Sequence, residues 1–75
     1  MTINAGTKIS ALLRENPEAL EAIVSLSPKF TKLRNPLLRK LMASRTTIRM
    51  ASKIGGCTPD DIFAKLAPQG IQAEL

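Results

Sequence analysis

The stretch Thr47-Ile48-Arg49-Met50-Ala51-Ser52-Lys53-Ile54-Gly55-Gly56-Cys57-Thr58-Pro59-Asp60-Asp61-Ile62-Phe63 reads as helix, stop, helix. Thr46 or Thr47 can open the first of these helices, with Ile48, Ala51 and Ile54 at inward spacing. Gly55-Gly56 ends it, because glycine adopts the left-handed conformation of a helix stop without a Cβ clash. Thr58-Pro59-Asp60-Asp61 then restarts the chain with a cap, a proline in the first turn and two acids at the positive helix end. Ile62, Phe63 and Leu66 face inward, and Pro68 closes that helix.

The same punctuation recurs toward the N-terminus. Thr7 can cap a helix carrying Ile9, Leu12 and Leu13. Asn16-Pro17 stops it and starts a second helix that buries Leu20, Ile23 and Val24 and ends near Ser27-Pro28. Residues 29 to 34 read as an irregular turn or short helix anchored by Phe30 and Leu33. Asn35-Pro36 opens a third helix, roughly 36 to 43, whose Leu37, Leu38, Leu41 and Met42 are expected to lie mostly in the core. No stretch alternates cleanly for a strand. The expected fold is therefore all-α, a compact bundle of about five short helices in one domain, 1–75, with its core over about 7–71. None of these helices is long enough to be stable alone, so they must share a core. The tail from Pro68 either docks through Ile71 or is the stub of a linker.

Composition limits the chemistry. A chain of 75 residues makes one small domain that buries only about 60% of its unfolded surface. Phe30 and Phe63 are its only aromatics, so the core must be aliphatic. The absence of histidine removes His-based triads and His metal sites. One cysteine provides neither an internal disulfide nor a Cys-x-x-Cys motif. There is no phosphate-loop or dinucleotide signature. The chain is expected to be no enzyme and to use no metal or cofactor. No apolar run approaches the roughly 20 residues of a membrane span, and Met1 to Gly6 lacks the pattern of a secretory signal. A reducing, cytoplasmic location is the expectation.

Charge is the strongest functional signal. Residues 29 to 53 hold Lys29, Lys32, Arg34, Arg39, Lys40, Arg45, Arg49 and Lys53 with no Asp or Glu among them. The flanking segments are mildly acidic, and the formal net charge is +5. These eight residues form the candidate face for an anion or an acidic protein surface. Arg45, Arg49 and Lys53 are spaced i, i+4 and i+8, a like-charge stripe that disfavours a helix by about 0.2–0.5 kcal/mol per pair. The plain alternative is a solvated surface that keeps the domain soluble.

Two further readings stand beside these. Residues 47 to 66 mimic a helix-turn-helix, which makes nucleic acid an alternative partner. Asp60 and Asp61 oppose it, because they would sit where a recognition helix meets phosphates, and stacking aromatics are missing. Cys57 precedes a helix N-terminus, which can lower a thiol pKa and support a thiol-dependent redox role. The competing reading is a small residue packed in a tight turn. Phe30 is expected in the core. A membrane-surface role finds little support in a two-turn third helix.

The chain also resembles a known family. The carrying strings are Ile9-Ser-Ala-Leu-Leu13, then Ser27-Pro-Lys-Phe-Thr-Lys-Leu-Arg-Asn-Pro-Leu-Leu-Arg-Lys40, then Thr47 through Gly56. Over roughly residues 7 to 71 it is similar to the small helical domain of unknown function related to the N-terminal domain of ScdA-type iron–sulfur repair proteins. One branch of that family carries a redox disulfide and accompanies hybrid-cluster proteins. Other branches precede hemerythrin-like, sensor or sulfur-carrier-like (TusA-like) domains. The resemblance implies a compact helical fold and a bacterial redox, nitrogen-oxide or sulfur-transfer setting, with a neighbouring redox or sulfur-carrier-like domain as a partner. It implies no reaction. The redox branch has its cysteine pair after the second helix; this chain reads Ser27-Pro28-Lys29-Phe30 there, so dithiol chemistry does not carry over.

Overall fold

Helices form where polar caps and prolines punctuate the chain. The computed structural model describes residues 1–74. Its elements are β1 (Thr2–Ile3), α1 (Ile9–Glu15), α2 (Ala19–Val24), a central 3₁₀ helix (Pro28–Arg34), α3 (Pro36–Ala43), α4 (Ile48–Gly55), α5 (Pro59–Leu66), a 3₁₀ turn (Ala67–Gln69) and β2 (Gln72–Ala73). The all-α expectation holds, with one small addition. Thr2 and Ile3 pair in parallel with Gln72 and Ala73. Strands of two residues are too short to leave an alternation in sequence.

Three helix starts are built as their residues dictate. The Asn35 side chain accepts from the Leu37 and Leu38 amides at the head of α3. Thr47 Oγ1 accepts from the Met50 amide in α4. Thr58 and Asp61 exchange bonds in a full capping box, with Asp61 Oδ2 receiving the Thr58 amide at 2.9 Å. Ser27 similarly accepts from the Lys29 amide and opens the central 3₁₀ helix. The two remaining first-turn amides of α4 find long-range partners. Ile48 N–H donates to the Thr7 carbonyl and Arg49 N–H to the Ala5 carbonyl, both at 2.9 Å. Ile9 N–H returns a bond to the Thr46 carbonyl. The N-terminal loop thus satisfies groups that a helix end otherwise leaves orphaned.

Other starts differ from expectation. Thr7 does not cap α1; its hydroxyl accepts from the Asn4 amide and closes a turn, while Lys8 takes the cap position without a side-chain bond. Asn16-Pro17 lies in a turn, and α2 begins after Glu18. α2 also stops at Val24, before Ser27-Pro28. At the end of α4, Gly56 takes the left-handed conformation (φ 72°), whereas Gly55 remains helical. The Gly56 and Cys57 amides donate back to Lys53 and Ser52 carbonyls, a Schellman stop. α5 ends at Leu66, and Pro68 falls inside the 3₁₀ turn that follows.

The core is aliphatic. Its largest fully buried side chains are Ile3, Ile9, Leu12, Ile23, Ile48, Ile62, Leu66 and Ile71. It therefore begins at Ile3, earlier than the expected residue 7, and Ile71 docks the tail. Phe30 and Leu33 are buried as expected, so the central 3₁₀ helix is part of the core. Leu13, Leu20 and Phe63 pack only partly against it.

The expectation of a mostly buried α3 fails for Leu37 and Leu41, while Leu38 and Met42 fit the other reading of the sequence, an exposed apolar rim beside Arg39 and Lys40. Leu37, Leu38 and Leu41 are 81%, 38% and 53% exposed, Met42 is half-buried, and only Ala43 of α3 is buried. Ile54 of α4 is also exposed, at 42%. The physical reason is geometric. A two-turn helix touches the body with one stripe, and here that stripe carries Arg39 and Ala43 rather than the leucines. α3 packs on the central 3₁₀ helix, whose own Phe30 and Leu33 are buried.

Candidate functional site

The central 3₁₀ helix organises the basic residues. It packs against α2, α3 and α4, whereas α3 packs chiefly on it and on α1, and α4 on it and on α5. Two helices that carry four of the eight candidate cations thus flank a shared neighbour that carries three more.

The eight candidate residues fall into distinct settings. Lys29 and Lys32 line the mouth of a small apolar cleft of about 30 Å³, shared with Phe30, Leu33, Met42 and Ile54. That volume has room for about two waters and is too small for an organic ligand. Arg34 forms an exposed ion pair with Glu21 of α2 at 2.9 Å, the one salt bridge among the described residues. Arg39 is half-buried, and its Nη1 donates to the Leu33 carbonyl at 3.2 Å, which ties α3 to the central 3₁₀ helix. Lys40 is exposed at the groove between α1 and α3. Arg45 lies in the turn between α3 and α4, outside either helix. Arg49 and Lys53 are exposed on the outer side of α4, one turn apart, with Met50 and Ile54 exposed beside them. The expected three-residue stripe on α4 is therefore a pair, and the like-charge argument applies to Arg49 and Lys53 alone.

An open groove of about 500 Å³ between α1 and α3 brings Arg39 and Lys40 together with Arg14. Its apolar lining comes from Leu13, Pro36 and Ala43. Leu13 and Arg39 continue into an adjoining recess with Pro17 and Leu20. Arg14 was invisible as a member of this group because it sits in the mildly acidic N-terminal segment. Its only sequence signal is its place one residue after the apolar pair Leu12-Leu13. Lys8 is not available in the same way, since its ammonium donates to the Ser44 carbonyl at the end of α3.

Cys57 sits half-buried in the turn between α4 and α5. Burial, and secondarily the Asp61 carboxylate, push its thiol pKa up. A raised thiol pKa disfavours the thiolate form that redox and nucleophilic chemistry would use. Among the described residues no group of three or more acidic or cysteine side chains could hold a metal ion. No helix among them is long and apolar enough to cross a membrane.

A family model described as "Domain of unknown function (DUF1858)" matches residues 3–63. The chain belongs to this family. The matched DUF1858 region runs from the buried Ile3 of β1 into α5 and includes the whole basic block and the α1–α3 groove. No curated protein and no solved structure matches the chain.

Proposed function

We propose that this DUF1858 domain is a non-catalytic interaction module that docks an acidic protein surface. The observation that carries this reading is the exposure of leucines and unpaired cations on and around α3. Among the described residues, Lys40 has no carboxylate within ion-pair distance, nor do Arg14, Arg49 and Lys53. Exposed apolar side chains rimmed by charge are a common composition for an interface. The resemblance to ScdA-type and hybrid-cluster-associated domains supports a cytoplasmic redox, nitrogen-oxide or sulfur-transfer setting. It also supports a redox or sulfur-carrier-like domain as the acidic partner.

Nucleic acid is the second reading, favoured only by the uncompensated charge. Phosphates would satisfy the cations but leave Leu37 and Leu41 against water. The comparison that decides uses two probes, an acidic leucine-containing peptide and a random-sequence DNA duplex. The peptide is expected to bind more tightly near physiological salt, with affinity falling as salt rises. Tighter duplex binding would transfer the function to nucleic acid. Binding of neither would reduce the basic block to a solvated surface.

A further inference from the structure

The geometry points to the outer face of α3 and the groove beside it as the docking site for one acidic amphipathic helix of another protein. This inference rests on the interaction reading above and specifies its surface and occupant. Leu37, Leu38 and Leu41 stand at i, i+1 and i+4, so they form one stripe. Arg39 and Ala43 lie on the opposite side and face the body. The leucines are therefore no overflow from the core; they crown a ridge. On one flank runs the groove with Arg14, Arg39 and Lys40. On the other flank Met42 borders the cleft whose mouth carries Lys29 and Lys32. An apolar ridge between cationic flanks is the complement of a helix with an apolar stripe and acidic edges.

Charge and shape select this occupant over the others. A second copy would set the same patch against itself, as a two-fold interface requires. Two copies of the same cationic flanks would then be brought together, and residues 29 to 53 supply no carboxylate to answer them. A lipid surface is flat and makes little use of a groove set beside the leucines. α3 is also only about 12 Å long, which gives little area for interfacial anchoring.

The test uses two fluorescent peptides of roughly 18 residues, long enough to form a helix. Both contain only leucine and glutamate in equal composition. One places leucines at i, i+3, i+4 and i+7; the other scrambles them. The full chain is expected to bind the patterned peptide at least about tenfold more tightly than the scrambled one. Leu37→Ser with Leu41→Ser should erase that preference, and both positions are exposed enough to leave folding intact, which a thermal melt verifies. Leu37→Ser alone should reduce it. Arg14→Glu with Lys40→Glu should weaken both peptides. Equal binding of the two peptides overturns the helix-docking site while leaving the interaction reading standing. Binding of neither overturns both. An unchanged preference in the leucine variant also refutes this site. So does tighter binding to phosphatidylglycerol vesicles than to the patterned peptide, or self-association of the chain in sedimentation.

Discussion

The backbone of Gly55 lies directly against the ring of Phe30. A Cβ built on Gly55 would stand 2.7 Å from both Cε2 and Cζ of that ring. The two consecutive glycines therefore serve different ends: Gly55 makes room for an aromatic neighbour, and Gly56 supplies a left-handed stop.

Gly55→Ala should destabilise the domain even though alanine is the better helix former. The clash is of the overpacking kind, which costs about 1–3 kcal/mol, against about 1 kcal/mol of helix propensity gained. Phe30 is buried, so its ring has little freedom to yield. In a Phe30→Leu background the same change should become neutral or stabilising. Denaturant unfolding of the four proteins of this cycle measures the coupling. A Gly55→Ala penalty that persists without the ring would show the clash to be elsewhere.

Gly56→Ala should also destabilise, by about 1–2 kcal/mol, through backbone strain alone. No atom lies within 4 Å of the Cβ it would acquire. Its penalty should therefore be the same with Phe30 or Leu at position 30.

Cys57 should alkylate more slowly than a free thiol at neutral pH. Its folded pKa is raised by burial and then by Asp61, so the unfolded chain loses the thiol proton first. Stability from this group is fully present below about pH 8.5, the unfolded thiol value, and declines as pH rises through the folded value. Cys57→Ser should flatten that decline at a modest stability loss. Urea midpoints for both proteins between neutral and alkaline pH test the sign. An alkaline decline of equal size in Cys57→Ser would assign it to other groups.

Arg49→Gln with Lys53→Gln should leave thermal stability almost unchanged, because exposed charges contribute roughly 0–1 kcal/mol. Removing their mutual repulsion on α4 could even raise it slightly. The same double variant should weaken acidic-peptide binding and lessen its salt dependence. Unchanged affinity would confine the binding surface to α3 and the groove beside it.

Local chemistry was readable where a residue's role is decided within a turn. Asn35, Thr47 and Thr58 cap the helices their side chains can reach, and Thr58 does so with the acid three residues on. Thr7 and Asn16 have the same chemistry but not the same role, because a local turn with Asn4 and the turn at residues 16–19 claim those positions. Periodicity placed Ile48 and Ile62 inward correctly. It misplaced Leu37 and Leu41, since apolar spacing reports a stripe but not whether a partner fills the space beneath it. Only the fold shows that α3 rests on a central 3₁₀ helix that buries its own Phe30 and Leu33. The basic block was visible as a count, while the grouping of Arg14 with Arg39 and Lys40 is a product of the fold.

The parallel pairing of β1 with β2 has a mechanical consequence. Tension on the chain at Met1 and at Glu74 would pull the two strands in opposite directions along their length. The Gln72 amide to Met1 carbonyl bond and the Glu74 amide to Ile3 carbonyl bond would then be sheared together rather than peeled apart one by one. Ile3 and Ile71, both buried, anchor the strands to the core behind these bonds. A sheet of four residues thus acts as a clasp, and drawing the domain open from its ends requires breaking that clasp before any helix is released.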